Sequence, residues 1–221
     1  MKQRDVWHEV LPLLNEAKLA AEQLVNVWGI LAKSQPQHLR CSVSEPKLTE
    51  RLHHHLCSLR ASFGLLGHWT NEAQHALYDA KGNLISRTRT DITYFSNASA
   101  KRLHLIFEFK KLTRTSIRTY QGVKGMRRFV DGNYGNDEPL AAMVGVLKPD
   151  DRALIQSLCV SLTDPRVLSP LNMVHDVQQG YVRQPSAVFP DLQEAEFDTE
   201  HRRPTAGSNI KLVHIFIEFP S

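Results

Sequence analysis

The sequence predicts an α/β protein with a mixed sheet flanked by helices, and three observations support this fold class. Apolar residues recur at three- and four-residue steps over 5–33 and 44–60, which indicates two helices. Between and after them lie strand-like segments, of which 140–147 is apolar throughout, as in a buried parallel strand. With 42% hydrophobic and 23% charged residues, the 221-residue chain is long enough for one sizeable core.

The first helix is predicted over residues 5 to 33, with a start near residue 11 as an alternative because Pro12 lies inside the pattern. It carries no residues that suggest chemistry. We expect it to cover the core or to contact another subunit, and we assign residues 1–40 to an N-terminal helical extension.

The second helix begins at Ser44-Glu45-Pro46, with Ser as the N-cap and Pro in the first turn. Its buried stripe consists of four leucines: Leu48, Leu52, Leu56 and Leu59. At roughly 100° per residue, Glu45 falls on this stripe, whereas Glu50 points almost the opposite way. We therefore expect Glu45 to face the sheet and Glu50 to face solvent.

Three strands in a meander follow, at 76–79, 84–95 and 103–110, with a tight turn at 81–83 between the first two. The second of them contains Asp91. In the third, Glu108 and Lys110 share one face with His104 and Ile106, because side chains alternate along a strand. The other face consists of large apolar residues that must be deeply covered: Leu103, Leu105, Phe107 and Phe109.

A helix from Thr113 to about Val130 is predicted next, before the strand at 140–147 and a helix from 149 to about 162. Residues 164–192 are interrupted by prolines and receive no assignment. The chain closes with a hairpin of strands at 194–203 and 211–219. His201 and His214 lie on these two strands, and we favour a structural role for them as a cross-strand polar pair over a role in a site.

Asp91, Glu108 and Lys110 would meet at neighbouring strands, and this combination suits a divalent metal that activates water. Magnesium, or manganese in its place, prefers carboxylate and carbonyl oxygens, which Asp91, Glu108, Glu45 and the Phe109 backbone supply. The alternative is an ordinary ion-pair cluster on a solvated sheet face. We favour the metal site, because Glu108 lies among Phe and Leu residues, where an unsupported charge is costly.

The order helix, three strands, helix, strand, with Thr90-Asp91 and Glu108-Phe109-Lys110 on the second and third strands, resembles the PD-(D/E)XK nuclease superfamily. The resemblance covers about residues 44–147, and Thr90 stands where that family has Pro. It implies a restriction-endonuclease-like αβββαβ core, which we assign to residues 41–163. Residues 164–221 are then a C-terminal extension with a β-hairpin, within the same domain.

The resemblance implies catalytic roles for Asp91, Glu108 and Lys110, and for Glu45 as the acid that many members carry on the first core helix. Three sequence phrases also resemble nuclease domains of bacterial antiviral defence systems: Arg-Thr-Asp-Ile, Phe-Glu-Phe-Lys-Lys-Leu and Gly-Met-Arg-Arg-Phe-Val-Asp-Gly-Asn-Tyr. The expected function is a magnesium-dependent endonuclease. The alternative is a non-catalytic nucleic-acid-binding or scaffold subunit of a larger assembly.

Nucleic acid is the expected partner, with DNA favoured over RNA, and the net charge of +4 is compatible with it. Candidate contacts to phosphates lie on one side of the helix after the catalytic strand and beside Asp91: Arg114, Arg118, Gln121, Arg128, Arg87 and Arg89. A solvated helix face is the equally weighted alternative for the helical residues. A second copy of the chain or a regulatory protein is a further candidate partner.

The three cysteines, Cys41, Cys57 and Cys159, form no CxxC pair and are expected to be reduced thiols. No apolar segment approaches the roughly 18 residues of a transmembrane helix, and the N-terminus lacks the apolar core of a signal peptide. We therefore expect a cytoplasmic protein without a membrane partner.

Overall fold

The computed structural model describes residues 5–78, 84–97, 102–134, 138–204 and 208–221, with the backbone alone at 5–12, 75–78 and 84–88. The fold is α/β, with a six-stranded mixed open sheet flanked by helices, as predicted. The helices are α1 (Asp5–Ser34), α2 (Glu45–Leu59), α3 (Ile117–Gln121), α4 (Arg127–Val130), α5 (Ala153–Leu162) and α6 (Pro165–Leu168). The strands are β1 (His68–Asn71), β2 (Gln74–Tyr78), β3 (Leu84–Arg89), β4 (Ile92–Ser96), β5 (Leu103–Lys111), β6 (Leu140–Leu147), β7 (Ala195–Arg202) and β8 (Asn209–Glu218).

The main sheet has the strand order β1-β4-β5-β6-β8-β7, and β2 and β3 form a separate two-stranded sheet. β1, β4 and β5 are antiparallel neighbours, whereas β5, β6 and β8 run parallel. β7 returns antiparallel beside β8. The closing hairpin is therefore one edge of the same sheet.

Each face of the sheet packs against its own layer of helices. α1 and α2 cover the face that carries Leu105, Phe107 and Val144, while the segments that contain Tyr120 and Leu158 cover the other face. The predicted alternation of β5 is confirmed, because Leu103, Leu105, Phe107 and Phe109 belong to the first layer and Ile106 to the second. Burial on both faces explains why β6 is apolar throughout.

The predicted single strand over 84–95 is wrong. β3 ends at Arg89 and β4 begins at Ile92, so that Thr90 and Asp91 lie between two strands of different sheets. At this break the Thr90 N–H donates to the carbonyl of Ala73 over 3.1 Å. β1, which the sequence analysis did not predict, is the partner of β4. The predicted strand at 76–79 corresponds to β2, and the turn at 81–83 lies outside the described residues.

The predicted helix from Thr113 to Val130 is also wrong, because the chain forms two short helices, α3 and α4. Two glycines allow the turn between them. A Cβ at Gly122 would lie 2.7 Å from the carbonyl oxygen of Arg118, and one at Gly125 would lie 2.0 Å from that of Tyr120. After this turn the Met126 N–H donates to the Tyr120 carbonyl over 2.8 Å. The predicted side with four polar residues therefore does not exist as one helical face.

The other predicted elements are confirmed, with adjustments. α1 runs from Asp5 through Pro12, so the alternative start near residue 11 is wrong. Ser44 occupies the N-cap of α2 but its side chain makes no capping hydrogen bond. Residues 164–192 form α6 and single bridges, one of which pairs Arg183 with Asp198 on β7. Among the described residues, no helix combines the length and apolarity needed to cross a membrane.

Candidate active site

Three carboxylates surround the ammonium of Lys110 where β4 and β5 meet. Lys110 Nζ lies 2.8 Å from Glu108 Oε1, 3.5 Å from Glu45 Oε2 and 3.9 Å from Asp91 Oδ2. It also donates to the carbonyl oxygen of Phe109 over 2.6 Å. The four predicted catalytic residues are thus close together, and we call Glu45, Asp91, Glu108 and Lys110 the acidic cluster.

Asp91 is positioned by the break between β3 and β4. The β4–β5 ladder ends at the pair Ile92 and Phe107, because Thr90 bonds to Ala73 instead of continuing it. The N–H of Phe109 is therefore free to donate to Asp91 Oδ2, over 2.8 Å. A side-chain carboxylate takes the place of a strand carbonyl, and this fixes Asp91 beside the Glu108-Phe109-Lys110 segment.

Glu45 reaches the same point from α2. Its Oε1 accepts a hydrogen bond of 2.9 Å from the N–H of Lys111, the last residue of β5. The buried leucines of α2 set the rotation of the helix that directs Glu45 toward the sheet. Glu50 is exposed, so the helical phase predicted the orientation of both glutamates correctly.

Glu108 is the most deeply buried member of the acidic cluster, with no exposed surface. Its Oε1 accepts from Lys110 Nζ and, over 3.0 Å, from Arg128 Nη1, whereas Oε2 has no hydrogen-bond partner in the described part of the chain. Burial, reinforced by the charge of Asp91, raises the pKa of Glu108 to about 7 against the opposing effect of Lys110 and Arg128. Both the protonated and the ionised form of this carboxyl group are therefore populated near neutral pH.

Burial also acts on Lys110 and Asp91. It lowers the pKa of Lys110, but the attraction of Glu108, Asp91 and Glu45 outweighs this effect, and the pKa is raised overall. Lys110 thus stays an ammonium at neutral pH and acts through its charge. For Asp91, burial raises the pKa despite the opposing charge of Lys110 and the hydrogen bond from Phe109.

Arg128 and Tyr134 hold the cluster from the side of α4, which the sequence analysis did not foresee. Arg128 donates to Glu108 and to the hydroxyl of Tyr134, and its guanidinium lies 5.1 Å from the centroid of that ring. The Tyr134 hydroxyl in turn donates to the carbonyl of Arg89, next to the break that carries Asp91. One continuous helix over 113–130 would direct Arg128 away from the sheet. The turn at Gly122–Gly125 interrupts that helix, so Arg128 points toward Glu108 instead.

The structure separates the residues predicted to contact nucleic acid. Arg114 and Arg118 are exposed, whereas Gln121 is buried and Arg128 points into the acidic cluster. Arg89 is exposed and its guanidinium pairs with Glu72 over 2.8 Å. The side chain of Arg87 lies outside the described part of the chain. The predicted contiguous stripe is therefore wrong, and contact of its single members with phosphate stays a prediction.

The acidic cluster has the ligand types of a divalent-metal site, although its carboxylates are not arranged around one common point. In the described ranges, no group of three or more His, Cys, Asp or Glu side chains converges on one point, because Lys110 Nζ lies between the carboxylates. Two observations nevertheless fit a cation. The carboxylates outnumber the cations Lys110 and Arg128, and the buried Glu108 Oε2 lacks a partner among the residues that the structure describes. With oxygen donors alone, the metal would be a hard one such as magnesium or manganese.

Comparisons of this chain with protein-family models, curated proteins and solved structures found no match.

Proposed function

We propose that this protein is a metal-dependent nuclease that hydrolyses phosphodiester bonds of nucleic acid. The observation that carries the proposal is the fully buried Glu108, whose Oε2 has no partner in the described part of the chain. Two further carboxylates, those of Asp91 and Glu45, lie around the same lysine, Lys110. When Glu108 is ionised, the acidic cluster together with Arg128 carries one more negative than positive charge, which is costly unless a proton or a cation compensates it.

The element order supports the proposed αβββαβ core. α2 precedes the antiparallel strands β1, β4 and β5, and α3 and α4 then lead to β6, which runs parallel to β5. The β2–β3 ribbon is an insertion between β1 and β4, and β7 and β8 extend the sheet on the other side. Asp91 lies just before β4, Glu108 lies in the C-terminal half of β5 and Glu45 is the first residue of α2.

Each residue of the site has a role in this proposal. Asp91, Glu108, Glu45 and the Phe109 carbonyl would hold the metal, which supplies a Lewis acid for the phosphate oxygens. The Lys110 ammonium offsets negative charge that develops on the phosphate, because its raised pKa keeps it protonated. Arg128 and the Phe109 N–H hold the carboxylates of Glu108 and Asp91 in position.

DNA as the favoured substrate and a role as an endonuclease effector of antiviral defence are part of the proposal, and the sequence resemblance supports them. The net charge of +4 and the exposed guanidiniums of Arg114 and Arg118 are compatible with a polyanionic substrate.

One observation favours a second candidate, a non-catalytic nucleic-acid-binding or scaffold subunit. Lys110 and Arg128 both bond directly to Glu108 and neutralise much of the cluster without any metal. In such a subunit the cluster would join α2, β5 and α4, and substrate would bind without being cut.

Cleavage assays with supercoiled plasmid DNA and with RNA, in magnesium or manganese, test the proposal. We expect Asp91→Asn and Lys110→Met to lower the cleavage rate by about 100-fold or more, because each removes a charge that acts on the reacting phosphate. Asp150→Asn is the matched control, since Asp150 is exposed and outside the acidic cluster. Its rate should equal that of the wild type.

A second matched pair uses the two glutamates of α2. Glu45→Gln should slow cleavage, whereas Glu50→Gln, the same change on the exposed side of the helix, should not. Cleavage that persists in both Asp91→Asn and Lys110→Met would refute the site. Binding of nucleic acid without cleavage in either metal would favour the scaffold subunit.

A further inference from the structure

A second polar site lies on the other side of the turn between α3 and α4, in a pocket of about 420 Å³ that α5 and α6 close. Its polar lining comes from six residues: Arg118, Gln121, Arg127, Ser161, Asp164 and Arg166. None of these side chains belongs to the acidic cluster. The pocket is therefore separate from the acidic cluster, although Arg118 is also a candidate contact to the nucleic-acid backbone.

Gln121 is the central polar residue of this pocket. It is 6% exposed, and its Oε1 accepts a hydrogen bond of 3.2 Å from Ser161 Oγ. This bond orients the carboxamide and leaves Nε2, a buried donor, without a partner among the described residues. Buried donors are nearly always paired, because leaving one unpaired is costly. The Gln121 Nε2 donor is therefore open to an acceptor from a ligand.

The arginines around Gln121 also have N–H groups that can donate to a ligand. Arg118 is exposed and lines the pocket. Arg127 pairs with Asp131 through Nη2 over 3.1 Å, but its buried Nε has no partner in the described ranges. Arg166 engages Asp164 over 2.6 Å, which occupies the carboxylate that lines the pocket. The lining thus offers mainly hydrogen-bond donors and an excess of positive charge.

We propose that this pocket binds a phosphate group, carried by the end of a nucleic-acid strand or by a free nucleotide. Several guanidiniums together with an amide donor suit a ligand that is anionic and presents several acceptor oxygens. A volume of about 420 Å³ lies within the range of small-molecule sites and exceeds the need of a single small ion. A cationic or apolar ligand would leave the Gln121 and Arg127 donors unpaired.

The pocket is adjacent to the acidic cluster in the sequence of α4, but ligand binding there does not require catalysis. Arg127 lines the pocket, and the next residue, Arg128, bonds to Glu108. A phosphate bound there would lie on the same short helix that holds the acidic cluster. Binding can be measured in EDTA, where no metal-dependent cleavage occurs, so a failure of the nuclease proposal would leave this test intact.

Isothermal titration calorimetry in EDTA, with inorganic phosphate and with AMP, tests the site. We expect saturable binding that Arg118→Gln and Gln121→Leu each weaken by about tenfold or more, because each removes a donor to the phosphate. Lys124→Gln is the matched control, since Lys124 is exposed on the same turn, carries the same charge and does not line the pocket. Its affinity should stay within about twofold of the wild type.

Two oligodeoxynucleotides, identical except for a 5′-phosphate or a 5′-hydroxyl, distinguish the sources of the phosphate. Preference for the phosphorylated strand assigns the pocket to strand ends, and equal binding of both strands together with binding of AMP assigns it to a free nucleotide. The proposal is overturned if neither phosphate nor AMP nor the phosphorylated strand binds, or if Arg118→Gln and Lys124→Gln bind equally well. Because Arg118 is exposed, its replacement leaves the core intact.

Discussion

The acidic cluster and a second buried polar group, beneath the closing hairpin, differ in how many of their polar atoms have a hydrogen-bond partner within the described chain. This second group, the histidine cluster, consists of Tyr120, Thr199, His201 and His214, and all four are buried. His201 Nδ1 lies 2.8 Å from the carbonyl oxygen of Leu171, so this nitrogen carries the proton. His201 Nε2 must then be an acceptor.

The remaining hydrogen bonds of the histidine cluster follow in sequence. The Thr199 hydroxyl donates to His201 Nε2 over 2.7 Å and accepts from His214 Nε2 over 2.9 Å. His214 Nδ1 then accepts from the Tyr120 hydroxyl, also over 2.9 Å. Every ring nitrogen has one partner while both imidazoles stay neutral, and β7, β8 and α3 are joined. The structural role predicted for His201 and His214 fits this arrangement, although they meet through Thr199 and do not face each other directly.

The difference separates two uses of buried polarity. The histidine cluster is neutral and closed, so it needs nothing from outside and stabilises the contact between the hairpin and α3. The acidic cluster is charged, and Glu108 Oε2 has no partner among the described residues. The acidic cluster therefore has an acceptor open to a ligand, whereas the histidine cluster has no open ring nitrogen.

Breaking the histidine cluster should have the largest effect on stability. Thr199→Val keeps the shape of the side chain but leaves two buried imidazole nitrogens without partners, at a cost of about 1–3 kcal/mol each. We expect the free energy of unfolding, measured by urea denaturation, to fall by about 2–6 kcal/mol. The control Thr70→Val, on the exposed side of β1, should change it by no more than about 0.5 kcal/mol. An unchanged midpoint for Thr199→Val would show that the hydrogen-bond chain contributes nothing to folding.

The pH dependence of stability should distinguish the two clusters next. Burial lowers the pKa of His201 from 6.5 to about 4 and that of His214 well below its ordinary value, so the unfolded chain binds these protons first. Stability is then fully present above about pH 6.5 and falls as the pH drops toward 4, by up to about 1.4 kcal/mol per pH unit for each histidine. Urea midpoints between pH 4 and 7, in EDTA, measure this slope.

Glu108 has the opposite sign, because its pKa is raised from 4.5 to about 7 and the folded state binds its proton more readily than the unfolded chain. It therefore favours folding as the pH falls through this range. Repeating the titration on Glu108→Gln removes that contribution, so the loss of stability on acidification should become steeper. A slope that flattens in this variant would contradict the assignment.

The smallest expected effect is stabilisation by metal, which only the acidic cluster should show. At a magnesium concentration ten times the dissociation constant, the folded state gains about 1.4 kcal/mol, which raises the melting temperature by a few degrees. Asp91→Asn and Glu108→Gln should lose this shift, whereas Thr199→Val should keep it despite its lower stability. An equal shift in all three variants would place the metal elsewhere.

The prediction of the acidic cluster succeeded wherever it depended on local periodicity. Alternation along 103–110 placed Glu108 and Lys110 on one face, and helical phase selected Glu45 over Glu50. Asp91 was predicted in the site but in the middle of a strand, whereas it lies at a break between two sheets. That break depends on the pairing of β1 with β4, which residues near Asp91 in the sequence do not reveal.

The α/β class, the apolar central strands and the set of acids can be predicted from the amino-acid sequence, because they follow from repeats of two or of 3.6 residues and from side-chain chemistry. The contacts of Arg128 with Glu108, of Gln121 with a basic pocket and of Thr199 with two histidines become visible in the folded chain alone. Each of these depends on close approaches, such as the turn at Gly122 and Gly125, that bring together residues remote in sequence. Periodicity describes one element at a time, whereas the hydrogen bonds left open to a ligand depend on all of them together.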